Sequence, residues 1–171
     1  MRVLLTAALL LVAPILNAAQ LRVHGVVTDA SSREPLKEVL VRVYKDGVKQ
    51  QISYTGVGGH YNVVLDNNAQ YVIRFTMNGR VTKCFGVDTH GPEWADDHTM
   101  KDVEVEMTLF PRVEGLDLSF FDMPMGLARF TPMTGFLDWN SEYEDRIRPE
   151  ATRLMAEVQA RREVLTAQLH P

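Results

Sequence analysis

Cysteine is almost absent from these 171 residues: Cys84 is the one thiol, so no disulfide can form within the chain. A fold of this make-up must be held by its core. Cys84 sits in an apolar stretch with no histidine or cation as an evident activating partner, and is read as a structural thiol. A basic excess is also missing. The net charge is −4, which argues against nucleic acid as a partner. Beyond residue 19 no apolar run is long enough to cross a bilayer, so no membrane span is expected in the mature chain. There is no Gly-x-Ser-x-Gly elbow, no phosphate loop and no Cys/His nucleophile pair. With no convergent set of reacting groups, no catalytic residue and no cofactor is assigned, and the chain is expected not to be an enzyme.

What is present begins with an export signal. Arg2 is followed by an almost unbroken apolar run from Val3 to Leu16, and Asn17-Ala18-Ala19 supplies small residues for cleavage. The run of 14 residues is too short to span the hydrocarbon as a helix. Residues 1–19 are therefore expected to be a signal peptide, with the mature chain periplasmic or extracellular. No cysteine follows the run, so lipid attachment at that point lacks its residue.

Residues 20–111 alternate apolar and polar side chains in seven short segments, the pattern of antiparallel strands wet on one face. Leu21, Val23 and Val27 mark the first, Val39, Val41 and Val43 the second. Asp46-Gly47 is a hairpin signal leading to a third strand, Val48 to Tyr54. Tyr61, Val63 and Leu65 follow, then Tyr71, Ile73 and Phe75, with Asn78-Gly79 as a second hairpin turn. Val81, Phe85 and Val87 form a sixth strand, which Lys83 interrupts; a lysine there suggests a sheet edge. Val103, Val105, Met107 and Leu109 form the seventh. These predict an all-β, seven-stranded antiparallel sandwich.

From Pro111 the period is lost. Residues 112–140 are rich in Phe, Met, Pro and Gly, and are expected to form an extended segment wrapping the sandwich. Residues 141–171 read as one helix. Ser141 with Glu144 resembles a capping box, Pro149 suits a first turn, and Glu157 can pair with Arg161. The candidate partner-binding residues are Phe120, Phe121, Met123, Met125 and Phe130, with Leu154, Met155 and Val158 of the helix, because Met and aromatic side chains adapt to partners.

Three stretches carry a family likeness: Gly25-x-Val27-x-Asp29, Pro35-Leu36-x-x-Val39-x-Val41 and Gly59-x-Tyr61-x-Val63. In these the first ninety or so mature residues resemble the carboxypeptidase regulatory-like domain, a transthyretin-like (prealbumin-like, Ig-like) β-sandwich. The resemblance implies an accessory module of exported proteins and supports fold far more than activity. Transthyretin-like sandwiches include a hydrolase ending in Tyr-Arg-Gly-Ser; this chain ends Gln168-Leu169-His170-Pro171.

Between Gly86 and Asp122 stand ten acids and two bases, Lys101 and Arg112. Within this stretch Asp88, His90, Glu93, Asp96, Asp97 and His98 are the weak candidates for a cation. His90-Gly91-Pro92-Glu93 echoes the His-x-x-Glu of zinc carboxypeptidases, but Gly-Pro does not set both ligands on one helical face. The expected function is an exported, non-catalytic interaction module of the bacterial cell envelope, with another envelope or secreted protein as partner. The alternative is a small-ligand or cation binder using the loop from Asp88 to His98. No oligomeric state is legible.

Overall fold

The computed structural model describes residues 20–91, Trp94 and residues 99–169. The signal-peptide reading of residues 1–19 lies outside them. Among the described residues ten strands, one long helix and a short 3-10 turn (Ser119–Asp122, between β8 and β9) occur, in the order β1 (Gln20–Asp29), β2 (Leu40–Lys45), β3 (Val48–Tyr54), β4 (His60–Asp66), β5 (Gln70–Thr76), β6 (Lys83–Asp88), β7 (Met100–Glu104), β8 (Met107–Leu109), β9 (Pro124–Thr131), β10 (Phe136–Trp139) and α1 (Ser141–Leu169).

The strands form two sheets. In the smaller, β1 is flanked by β4 on one side and by β7 and β8 on the other; the larger runs β10-β9-β6-β5-β2-β3. The first six strands stand close to where alternation places them. At the β2–β3 turn both Asp46 and Gly47 have positive φ, as that hairpin requires. The inward residues pack into one core between the sheets, with Val23, Val41, Ile73 and Phe75 fully buried. The result is a β-sandwich.

Two expectations are corrected. Among the described residues the sandwich has ten strands rather than seven, and it is not wholly antiparallel: β1 pairs in parallel with β7 and β8, and β6 with β9. The chain leaves the larger sheet after β6 and crosses to the smaller one, so its next strand arrives alongside β1 in the same direction. The expected seventh strand is broken at Val105 and Glu106. Segment 112–140 is more than a wrap, since β9 and β10 extend the larger sheet.

A second apolar cluster closes one end. Val81, Phe110, Val113, Leu118 and Phe121 meet Leu154 and Val158 of α1. The helix has 29 residues, about 43 Å at its usual rise. Its cap is Asn140 rather than Ser141: Asn140 Oδ1 accepts the N–H of Tyr143 at 2.8 Å. Pro149 lies inside the helix, not in its first turn, and Glu157 pairs with Arg153 rather than Arg161. The helix is pinned twice along its length. Tyr143 donates its hydroxyl to the Pro124 carbonyl at 2.8 Å, and Arg162 donates to Ser31 Oγ at 2.9 Å.

Candidate functional site

Lys83 opens β6 in the same inward register as Phe85 and Val87, since it stands opposite Phe75 as they stand opposite Ile73 and Tyr71. β6 lies between β5 and β9, so Lys83 is not on an edge strand as its sequence suggested. Pairing with β9 starts only at Cys84 opposite Pro124, one residue later. Lys83 therefore reaches the mouth of the sandwich, where the smaller sheet ends at β8 and α1 crosses β9.

That mouth is an open groove of two adjoining lobes. The larger, about 660 Å³, lies between Met125, Thr108 and the α1 residues Ile147, Arg148, Ala151 and Met155. The smaller, about 430 Å³, is bounded by Phe85, Met107, Gly126 and Trp139, with Glu106 beside them. Lys83, Thr108, Met125 and Glu144 border both. Gly126 is needed for this shape, because a Cβ there would stand 2.8 Å from the Trp139 ring. The volumes match those of small-molecule sites, as does an apolar wall with few polar groups.

The Lys83 ammonium faces the rings of Phe110 and Phe121, with Nζ 5.1 and 5.8 Å from their centroids. Among the described residues no carboxylate lies within ion-pair reach of it. Burial pushes its pKa down to about 8, because an ammonium is costly where water is scarce. Among the described residues Lys83 is a partly desolvated cation without an ion-pair partner, at the inner end of an apolar groove.

The candidate partner residues fall into two groups. Phe121, Leu154 and Val158 are buried in the end cluster, and Phe130 between the sheets. They pack within the chain's own cores. Phe120 is half-buried, and Met123 and Met155 are 38% and 36% exposed. Met125 and Met155 border the groove. Sequence reasoning missed Lys83 as a site residue, although the signal was available: it keeps the two-residue spacing of Phe85 and Val87.

The cation candidates are only partly described. Asp88 Oδ1 lies 2.7 Å from His90 Nδ1 and accepts the His90 N–H at 2.9 Å, so the pair closes a local turn. Glu93, Asp96, Asp97 and His98 lie outside the described residues. Among the described residues no three His, Cys, Asp or Glu side chains converge. Cys84 is buried, and its thiol donates to the Asp122 carbonyl at 3.4 Å. Burial pushes that thiol's pKa up, which suits a structural role. No helix of the described chain is long and apolar enough to cross a membrane.

No protein-family model and no curated protein matches the chain. Among solved structures it is similar to 3-chlorocatechol 1,2-dioxygenase from Rhodococcus opacus, at 11% identity and a TM-score of 0.41, with 56% of this chain and 61% of that one covered. It is also similar to the Bacillus anthracis TIE protein, at 13% identity and a TM-score of 0.44 over 54% of this chain and 18% of that one. A third likeness, to the C-terminal domain of a shaft pilin from Lactobacillus rhamnosus GG, has 11% identity and a TM-score of 0.37 over 54% of this chain and 98% of that one. The chain thus spans less than two thirds of the dioxygenase and of the TIE protein.

Proposed function

We propose that this chain is an exported, non-catalytic binding module of the bacterial cell envelope, and that the groove at the mouth of its sandwich is the binding site. The carrying observation is the half-buried Lys83 ammonium over the Phe110 and Phe121 rings, with no carboxylate within ion-pair reach among the described residues. A charge partly withdrawn from water without an ion-pair partner costs stability, and perturbed groups of that kind cluster at functional sites. Export is supported by the basic start, apolar run and small residues of positions 1–19. The arrangement of Gly25, Asp29, Gly59 and Tyr61 supports a sandwich of the carboxypeptidase regulatory-like kind.

Two measurements test this. Expressed from its first methionine in a bacterium, the chain is expected in the exported fraction with its N-terminus at or near Gln20; retention of the leader in the cytoplasm would overturn export. The neutral dye Nile red is expected to bind saturably, and Met155→Asp, which places a charge on the groove wall, to abolish that binding. Equal binding by the variant would remove the groove as the site.

A further inference from the structure

The inference here rests on reading the groove as a binding site and assigns its ligand class. We infer that the groove takes a single-chain carboxylate amphiphile, with the carboxylate on Lys83 Nζ and the alkyl chain in the larger lobe. Lys83 supplies a cation over two π faces, 5.1 and 5.8 Å from the ring centroids, with no carboxylate within ion-pair reach among the described residues. A carboxylate completes it as two aromatic rings cannot, because a charge-assisted hydrogen bond is about twice as strong as a neutral one.

The distribution of charge around the groove selects the lobe. Arg148 borders the larger lobe only, and Glu106 the smaller only, while Glu144 borders both. An anion is therefore repelled from the side of Glu106, while Glu144 does not discriminate between the lobes and the larger one has Lys83 at its inner end and, at its rim, Arg148, whose guanidinium also pairs with Asp145 at 2.9 Å. The walls of the larger lobe are Met125, Ile147, Ala151 and Met155, which offer an alkyl chain apolar contact and no hydrogen bonds. Both methionines are unbranched and re-pack around chains of differing length. Free Lys83 carries a lowered pKa from burial; a bound carboxylate opposes that effect and holds the ammonium charged.

The test titrates the full exported chain with decanoate, decanol and decylammonium below their micellar concentrations, followed by calorimetry. Decanoate is expected to bind at one site, about tenfold or more tighter than decanol, with decylammonium weakest. Lys83→Met is expected to bring decanoate down to the affinity of decanol. The decanoate–decanol comparison needs no variant, so it stands even where Lys83→Met folds poorly. Decanoate binding no tighter than decanol, or binding undiminished by a folded Lys83→Met, would overturn the ligand class and leave the groove as a site for neutral molecules. Failure of all three probes, together with failure of Nile red, would overturn both the ligand class and the groove.

Discussion

Gly25, Tyr61 and Val105 show how single residues hold this sandwich. The Tyr61 hydroxyl donates to the Val105 carbonyl at 2.5 Å, and the Val105 N–H donates to the His24 carbonyl at 2.8 Å. Gly25 makes room for that carbonyl, since a Cβ there would lie 2.2 Å from it. Gly25→Ala is expected to cost about 2–4 kcal/mol in denaturant melts, because the clash is with backbone and cannot relax by rotamer change. Asp29 acts at the other end of β1, accepting the N–H groups of Ser31 and Ser32 and a short contact from Arg80. Burial pushes its carboxyl up, but the Ser32 N–H, the Arg80 guanidinium and the Ser31 N–H outweigh it and hold it at about 2. A carboxylate with a lowered folded pKa contributes stability above its unfolded value of 3.8, and that contribution is lost as pH falls towards 2. Asp29→Asn is therefore expected to flatten the loss of stability between those values, read by melting temperature against pH. These residues belong to the family-like stretches, and they were legible as a motif; the contact that explains Gly25 was not, because Val105 is eighty positions away.

At the scale of elements, α1 decides whether the C-terminal part belongs to the core. Leu154 and Val158 complete the cluster around Phe110 and Phe121, so the helix is part of the folded unit. Leu154→Ala is expected to cost about 2–4 kcal/mol by the cavity it leaves. Removing residues 141–171 is expected to abolish a single cooperative melt; an unchanged melt would show that the sandwich stands without the helix. β9 escaped sequence reading for a physical reason. Its inward residues are Gly126, Ala128 and Phe130, and the first is small because the Trp139 ring lies over it. Alternation survives there as size and not as hydropathy. Direction is also invisible to alternation, which is why the parallel pairing of β6 with β9 was not anticipated.

For the whole molecule, the two cores and the groove share one lysine. A base whose folded pKa lies below its unfolded one destabilises the fold while it is charged. As pH rises from about 8 towards 10, Lys83 loses its proton in the folded state but keeps it in the unfolded one, so its penalty is relieved. Lys83→Met is expected to be more stable than the parent at pH 7 by about 1–2 kcal/mol, after allowance for the partly open head of the lysine, with the gap narrowing above pH 8. A gap that stays constant across that range would mean the ammonium is well hydrated. The sandwich itself was legible from alternation over residues 20–111; the mouth was not, because it forms where β8, β9 and α1 converge from distant parts of the chain.

Cys84 lies under the Asp122 carbonyl on the face of β6 opposite Lys83, and it is the chain's one thiol. A maleimide or disulfide reagent can therefore modify a single atom, and only when the cover over the thiol, which includes the turn at Ser119–Asp122, lifts away. The modification rate becomes a clock for that opening, and slower labelling in the presence of an occupant would report clamping across the strand without any engineered probe.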